Sequence, residues 1–156
     1  MIIAVGSDHG GYALKSAVLK HLEEAGHVCR DFGTDSEDSV DYPDYGEAVA
    51  LSVAGGECEL GVVICGTGIG ISIAANKVPG ARCALCANAF MAQMSRRHND
   101  ANILALGARV TGAEYALFIL DEFLKTGFEG ERHARRVAKL SDIERRHGGL
   151  QDGSDL

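Results

Sequence analysis

The chain has 156 residues, of which 46% are hydrophobic and 24% are charged, and its formal net charge is −7. This length and composition predict one soluble globular domain with a proper core. The acidic balance argues against a nucleic-acid partner, and no apolar run approaches the roughly 20 residues that cross a bilayer, so no membrane partner is expected.

Five irregularly spaced cysteines, in a chain that enters a predicted strand without a signal peptide, predict free thiols in a reducing compartment. We therefore expect a cytoplasmic protein. A small anionic ligand is compatible with the acidic balance, because a few arginines gathered at one site outweigh the overall charge locally.

Predicted strands and helices alternate along the chain. The strands are 1–6, 27–32, 60–65, 81–87 and 102–106, and the helices are 12–25, 45–54, 72–77, 88–97, 111–126 and 131–146. The polar segments 7–11, 33–44 and 98–100 are predicted loops, and 148–156 is a predicted flexible tail after one domain at 1–147. This alternation predicts an α/β fold with a central parallel sheet and helices on both faces.

The central stretch 60–72 carries the strongest local signal. A largely β-branched apolar run ends at Cys65, a glycine turn with Gly66, Gly68 and Gly70 follows, and a helix begins. A turn of this kind leaves backbone N–H groups free to bind an anion, and a thiol at its lip should ionise more easily than a free one. The glycine spacing matches neither the dinucleotide fingerprint nor the P-loop, so it predicts a generic anion cradle.

Other reactive side chains are expected at the same edge of the sheet. In parallel α/β folds, sites lie beyond the carboxyl ends of the strands. The first strand leads to Asp8 and His9, the fourth leads towards Asn88, and the fifth leads to Arg109. We expect these groups to collect around Cys65.

Three further motifs have competing interpretations. Cys83 and Cys86 form a C-x-x-C on a strand, where they point to opposite faces, so neither a metal nor a redox pair is expected. His98 is either a histidine favoured by a helix C-terminal dipole or a catalytic group. The segment 132–136 is most simply a solvated helix face, although Arg132 and Arg136 are one turn apart and could clamp a phosphate.

Five motifs occur together: SDHGG at 7–11, DYP at 41–43, ICGTGIGISIAANK at 64–77, RHN at 97–99 and RHARR at 132–136. With this order and spacing, residues 1 to about 146 resemble the type B ribose-5-phosphate isomerases and their galactose- and allose-6-phosphate isomerase relatives. The resemblance implies a Rossmann-like α/β/α sandwich and an aldose–ketose isomerase that interconverts ribose 5-phosphate and ribulose 5-phosphate. It also implies a homodimer or dimer of dimers, with sites between subunits and with neither metal nor cofactor.

The resemblance assigns a role to each matching residue. Cys65 would be the base that moves a proton through an enediolate, while His98, aided by Asp8 and Thr67, would open the sugar ring. The remaining assignments are an anion hole (Gly66, Gly68, Ile69, Gly70), contacts to sugar hydroxyls (Tyr42, Asn99) and a phosphate site (His9, Arg109, Arg132, Arg136). The helix from about 131 would pack on the partner subunit and donate its arginines there.

One branch of the family lacks this cysteine and uses a glutamate at the position of Ile71. The apolar Ile71 excludes that option here and strengthens the assignment to Cys65.

Other functions stay open from the sequence. Six-carbon sugar phosphates, of allose or galactose, differ from pentose phosphates by one hydroxymethyl unit. A thiol hydrolase would use Cys65, His98 and Asp8 as nucleophile, base and orienting group. A non-catalytic phosphate- or nucleotide-binding module would use the glycine turn alone.

Overall fold

The computed structural model describes residues 1–148, and a five-stranded sheet forms its centre. The strands are β1 (Ile2–Ser7), β2 (Val28–Asp31), β3 (Leu60–Cys65), β4 (Cys83–Leu85) and β5 (Ile103–Gly107). All neighbours pair in parallel in the spatial order β2-β1-β3-β5-β4, so β3 has a strand on each side. The predicted parallel sheet is confirmed.

Helices cover both faces of this sheet. They are α1 (Tyr12–Glu24), α2 (Tyr42–Ala54), α3 (Ile69–Ala75), α4 (Ala89–Asn99), α5 (Ala113–Lys125) and α6 (Glu131–His147). Helices α1, α4 and α5 pack on one face, and α2 and α3 pack on the other. The fold is therefore the predicted Rossmann-like α/β/α sandwich, with α6 added against α4. Within residues 1–148, no helix combines the length and the apolar character that crossing a membrane requires.

Strand β3 lies between two hydrophobic cores. Val62 and Ile64 join the core under α1, α4 and α5, whereas Val63 and Cys65 join the core under α2 and α3. All six residues of the strand are buried. Burial of each large apolar side chain stabilises the fold by roughly 1.5–3 kcal/mol, so the packing on both faces holds the end of β3 at a fixed depth.

Two helices begin three residues earlier than the pattern predicts. Helix α2 begins at Tyr42 because Asp41 is extended at the cap position and Pro43 fits the first turn of a helix, where its missing N–H costs nothing. Helix α3 begins at Ile69 because Gly68, with a φ of +77°, turns the chain directly into the helix. The predicted starts at 45 and 72 are wrong, and Ile69 and Gly70 belong to a helix.

The predicted loop at 98–100 is also wrong. Helix α4 begins after Asn88, whose side chain accepts a hydrogen bond from the Met91 N–H, and it continues through His98 and Asn99. Asp100 ends it in the left-handed conformation, with φ at +45°. The other predicted strands and helices match the structure within two residues at each end, whereas the predicted loop 7–11 contains a short 3₁₀ helix at His9–Gly11.

Helix α6 follows the predicted segment closely and is anchored at both ends. The Glu129 N–H, just before the helix, donates to the Arg97 carbonyl at 3.1 Å, and the Glu144 carboxylate accepts from the Gly80 N–H at 3.0 Å. Apart from Gly148, the predicted tail 148–156 lies outside the described residues.

Candidate active site

The thiol of Cys65 lies against the glycine turn. Cys65 ends β3 and is 5% exposed, and its Sγ accepts a hydrogen bond from the Gly68 N–H at 3.1 Å. A Cβ on Gly68 would lie 2.5 Å from Leu85 Cδ1 and 2.9 Å from the backbone carbonyl carbon of Leu106. Together with the positive φ, this crowding admits only glycine. The tight turn is what aims an amide at the sulfur.

Asp8 and Arg109 meet the same turn from the two neighbouring strands. A Cβ on Gly10 would lie 3.3 Å from both Asp8 Oδ1 and the Gly66 nitrogen, and 3.5 Å from Arg109 Nη2. Asp8 is buried, and its Oδ1 accepts from the Gly11 N–H at 3.1 Å. The backbone N–H of Arg109 donates to the Gly66 carbonyl at 2.9 Å. A carboxylate and a guanidinium are thus held beside the amides of the turn.

Tyr42 and His9 complete this edge. A Cβ on Gly70 would lie 2.7 Å from the Tyr42 ring, so the ring covers the first turn of α3 while remaining 42% exposed. His9 Nδ1 accepts from the Val40 N–H at 3.1 Å, which ties the acidic loop to the site. Thr67 is exposed, and its Oγ1 accepts from the Ile69 N–H at 3.2 Å. The structure therefore brings together Asp8, His9, Tyr42, Cys65, Gly66, Thr67, Gly68, Ile69, Gly70 and Arg109.

The other four predicted site residues lie elsewhere. Helix α4 starts beyond the carboxyl end of β4 and runs back to the start of β5, so His98 and Asn99 lie towards the amino edge of the sheet. The five residues of β5 separate the two edges by about 16 Å. Arg132 and Arg136 are exposed on α6, which packs beside this end of α4. One chain does not bring His98 to Cys65.

Three side chains gather where α4 meets α6, and we call them the α4–α6 cluster: His98, Glu129 and His133. The two imidazole rings stack with centroids 4.1 Å apart and planes 7° from parallel. Glu129 Oε2 lies 3.6 Å from His133 Nε2 and 3.9 Å from His98 Nε2. The sequence did not point to Glu129, and the interpretation of 132–136 as a solvated face is wrong for His133, which is 5% exposed.

This cluster is the group of possible metal ligands found within residues 1–148, with its ligand atoms inside 4.8 Å of one another. A nitrogen lone pair lies in the plane of its ring, and these two planes are nearly parallel and well separated. One ion cannot lie in both planes, so the arrangement suits a stacked pair of rings beside a carboxylate better than a metal centre.

Three other thiols, those of Cys29, Cys83 and Cys86, have environments that favour the neutral form. Burial raises the pKa of the Cys86 thiol to about 11 and that of the Cys83 thiol further, and burial also raises the pKa of Cys29. Cys83 packs with the core under α3 and Cys86 with the core under α5, which confirms that they point to opposite faces. All five cysteines are free.

A cavity of about 390 Å³ lies under α6, between that helix and β4. Asn99, Arg82, Leu140 and Glu144 are among its lining residues, and none of the groups around Cys65 lines it. Since Arg82 is already paired with Asp100 at 3.0 Å, the cavity offers few free polar groups, and we place the candidate chemistry at the glycine turn.

Comparison with known proteins gives concordant results. A sequence model of the ribose/galactose isomerase family matches residues 3–140. The chain is 51% identical to ribose-5-phosphate isomerase B of Escherichia coli over 144 residues, 92% of this chain and 97% of that protein. Its fold matches the Clostridium thermocellum ribose-5-phosphate isomerase B with a TM-score of 0.93 at 59% identity, covering 94% of this chain and 99% of that one. It also matches the Mycoplasma genitalium enzyme solved with bound ribulose 5-phosphate, with a TM-score of 0.89 at 38% identity over 92% and 96% of the two chains.

Proposed function

Since the chain belongs to the ribose/galactose isomerase family and is a sugar-phosphate aldose–ketose isomerase, we propose that it interconverts ribose 5-phosphate and ribulose 5-phosphate with Cys65 as the base. The observation that carries the assignment of the base is the sulfur of Cys65 facing the Gly68 amide at 3.1 Å. A thiolate accepts a stronger hydrogen bond from a backbone N–H than a neutral thiol does, so this contact favours the ionised form of Cys65. The same turn presents further amides to an anion.

The reaction needs a proton to move between two neighbouring carbons. The Cys65 thiolate takes the proton from C2 of the open aldose, and the electron pair moves to O1 to give an enediolate. The amides of 66–70 stabilise that oxygen, and each donor of this kind typically lowers the barrier by about 3–4 kcal/mol. The thiol then returns the proton to C1, while one hydroxyl proton passes from O2 to O1, and the ketose forms.

The other groups bind the substrate or open its ring. Tyr42 and Asn99 contact sugar hydroxyls, and His9, Arg109, Arg132 and Arg136 hold the phosphate, whose remote binding energy positions the reacting carbons. His98, with Asp8 and Thr67, opens the cyclic aldose. The exposed guanidiniums of Arg109, Arg132 and Arg136 are available for a dianionic phosphate.

These roles require two copies of the chain, because Cys65 and His98 lie towards opposite edges of the sheet. We propose a homodimer or dimer of dimers in which α4 and α6 of one copy approach the glycine turn of the other. An apolar patch supports such an assembly. Phe90 and Met91 on α4 and Tyr115 and Phe118 on α5 are 41–68% exposed on neighbouring helices. Patches of this kind commonly mark protein–protein contacts.

The experiment that tests both the roles and the shared site is complementation between two inactive variants. Cys65→Ala and His98→Ala are purified separately and then mixed under conditions that exchange subunits. A mixed dimer contains one site with both groups intact, so the equal mixture should recover about a quarter of the wild-type turnover. A site formed within one chain would recover nothing.

Substrate class is tested by measuring turnover on ribose 5-phosphate, allose 6-phosphate and galactose 6-phosphate side by side. We expect the pentose phosphate to have the highest kcat/KM, and preference for a hexose phosphate would overturn the substrate while keeping the reaction. Solvent deuterium should enter the carbon beside the carbonyl, whereas a thiol hydrolase would instead give an acyl-enzyme burst with activated esters.

We also propose the cytoplasm as the compartment of this enzyme. The five free thiols include Cys65, whose proposed role requires the reduced form, and reducing compartments preserve that form.

A further inference from the structure

His133 is a buried histidine that has no role in the mechanism above. It lies in the first turn of α6, a helix whose other residues are mostly exposed. A structural histidine in a protein core normally bonds to backbone or core side chains. The described contacts of His133 are different, because they include His98 and Arg132, two residues proposed to act on the substrate.

The face of the His133 ring contacts His98. The rings are 4.1 Å apart between centroids and nearly parallel, and the His98 side chain remains 39% exposed on its other side. A flat stack of this kind removes one of the two directions in which the His98 ring could tilt. The free face and edge of His98 stay available to a sugar.

The edge of the His133 ring contacts Arg132. The Arg132 Nε–H donates to His133 Nε2 at 3.4 Å, which requires an unprotonated Nε2. Burial lowers the pKa of His133, the positive charges facing it from His98, Arg132 and Arg136 lower it further, and Glu129 opposes the shift. Glu129 is itself faced by Arg97 at 3.9 Å. Near neutral pH the ring is thus held in the form that accepts from Arg132.

We propose that His133 is a positioning residue, whose ring face orients His98 for ring opening and whose ring edge holds Arg132 for phosphate binding. This inference rests on the roles given to His98 and Arg132 in the proposed function. It joins two steps that the mechanism otherwise treats separately, since one side chain would prepare the chain both to hold the phosphate and to open the ring.

Two substitutions of His133 test the stacking contact with His98 and the hydrogen bond from Arg132 separately. His133→Phe keeps a flat ring but removes the acceptor, so KM for ribose 5-phosphate should rise about 5-fold with kcat within about 2-fold of wild type. His133→Gln keeps a polar acceptor but removes the stack, so kcat should fall about 5-fold with little change in KM. A merely structural role predicts parallel losses in both constants for both variants, and that result would overturn the inference.

A substrate that cannot cyclise sharpens the test. In 4-deoxyribose 5-phosphate, the hydroxyl that closes the five-membered ring is absent and the terminal oxygen is esterified, so the sugar stays open. His133→Gln should turn this compound over at the wild-type rate, because ring opening is bypassed. An equal loss of kcat on both sugars would contradict a role through His98. If one variant fails to fold, the other still tests the inference, because each is expected to change one kinetic constant and leave the other nearly unchanged.

Two controls separate this inference from the proposed function. His27→Phe changes a histidine at the opposite side of the fold, beside the N-terminus, and should leave both constants unchanged. His98→Ala tests the premise. If that variant opens ribose 5-phosphate normally, the proposed ring-opening role fails. If it is impaired while both His133 variants show wild-type kcat and KM, only the positioning role fails.

Discussion

The carboxyl edge around Cys65 carries ten of the proposed site residues, and the region where α4 meets α6, with the α4–α6 cluster, carries the other four. The two regions are held together by different kinds of contact. At the edge, the sulfur of the buried Cys65 faces a backbone amide at the end of a strand that is buried on both faces. At the cluster, the partly exposed side chains of His98 and Glu129 contact the buried ring of His133, through stacking and through nitrogen–oxygen distances of 3.6–3.9 Å to the carboxylate. Backbone amides move only with the sheet, whereas side chains can rearrange. The proposed base and anion hole are thus fixed by one chain, whereas we expect His98, Arg132 and Arg136 to take their final geometry from contacts with a second copy.

The largest expected effect comes from the edge. Cys65→Ala should lower kcat by about 10³-fold, because general acid–base catalysis contributes roughly 10²–10⁴-fold. The measurement is steady-state turnover of ribose 5-phosphate, with circular dichroism to establish that the variant is folded. Cys29→Ala, at a thiol on β2, is the matched control and should stay active. Near-normal turnover of the Cys65 variant would remove the base from the mechanism.

Next comes the backbone of the same region. Gly68→Ala should cost about 3 kcal/mol of unfolding free energy, from the positive φ and from crowding against Leu85 and Leu106, and should lower kcat about 10²-fold by displacing an amide donor. Chemical denaturation and turnover measure the two effects.

Gly26→Ala is the matched control for this substitution. Gly26 has a φ of +85° but no neighbour within 4 Å of an added Cβ, so it should cost only about 1–2 kcal/mol and leave kcat unchanged. Equal losses of activity in the two variants would mean that the glycine turn has no special role.

The cluster should instead respond to pH. Burial and neighbouring positive charges lower the pKa of His133 in the folded chain, whereas the unfolded side chain titrates near about 6.5. As the pH falls below that value, the unfolded chain binds the proton first. The stability that the neutral ring contributes is therefore present above pH 6.5 and is lost as the pH falls through the window below it. Urea unfolding at pH 7.5 and 5.5 should show a smaller loss in His133→Gln than in wild type, and equal losses would contradict the lowered pKa.

The smallest expected effect on activity comes from Tyr42, which is partly exposed at the carboxyl edge of the sheet. Tyr42→Phe keeps the ring against Gly70 and removes one hydroxyl, so KM should rise about 3-fold with kcat nearly unchanged. Tyr45→Phe is the control, because Tyr45 lies on the same helix as Tyr42 but packs against the core under α2 and α3. A fall in kcat without a change in KM would mean that Tyr42 acts on the chemical step rather than on binding.

Local signals predicted the edge well and the cluster poorly. The β-branched run, Cys65 and the glycines that follow specify a buried strand and a tight turn within a few residues, so both could be found without tertiary information. The start of α2 at Tyr42 was also readable from Asp41 and Pro43, but the acidic composition of the preceding loop obscured it.

The α4–α6 cluster depends on packing between distant segments. His98 and His133 are 35 positions apart and stack only because α6 folds back against α4. The hydrophobic pattern within either segment does not predict that contact. The placement of His98 in a helix was missed for a related reason, since Asp100 in the left-handed conformation ends α4 where no glycine marks the end.

The position of β3 in the middle of the sheet has a consequence for how this protein unfolds. Amide hydrogens at 61–65 are bonded between two neighbouring strands, so their exchange with solvent should require opening of the whole sheet. The sulfur at the end of that strand should then react with an alkylating reagent at the rate of global opening, apart from its own small accessibility. On heating, we expect the local geometry around Cys65 and the sheet to be lost in one transition, without an earlier stage in which that geometry is lost while the sheet remains folded.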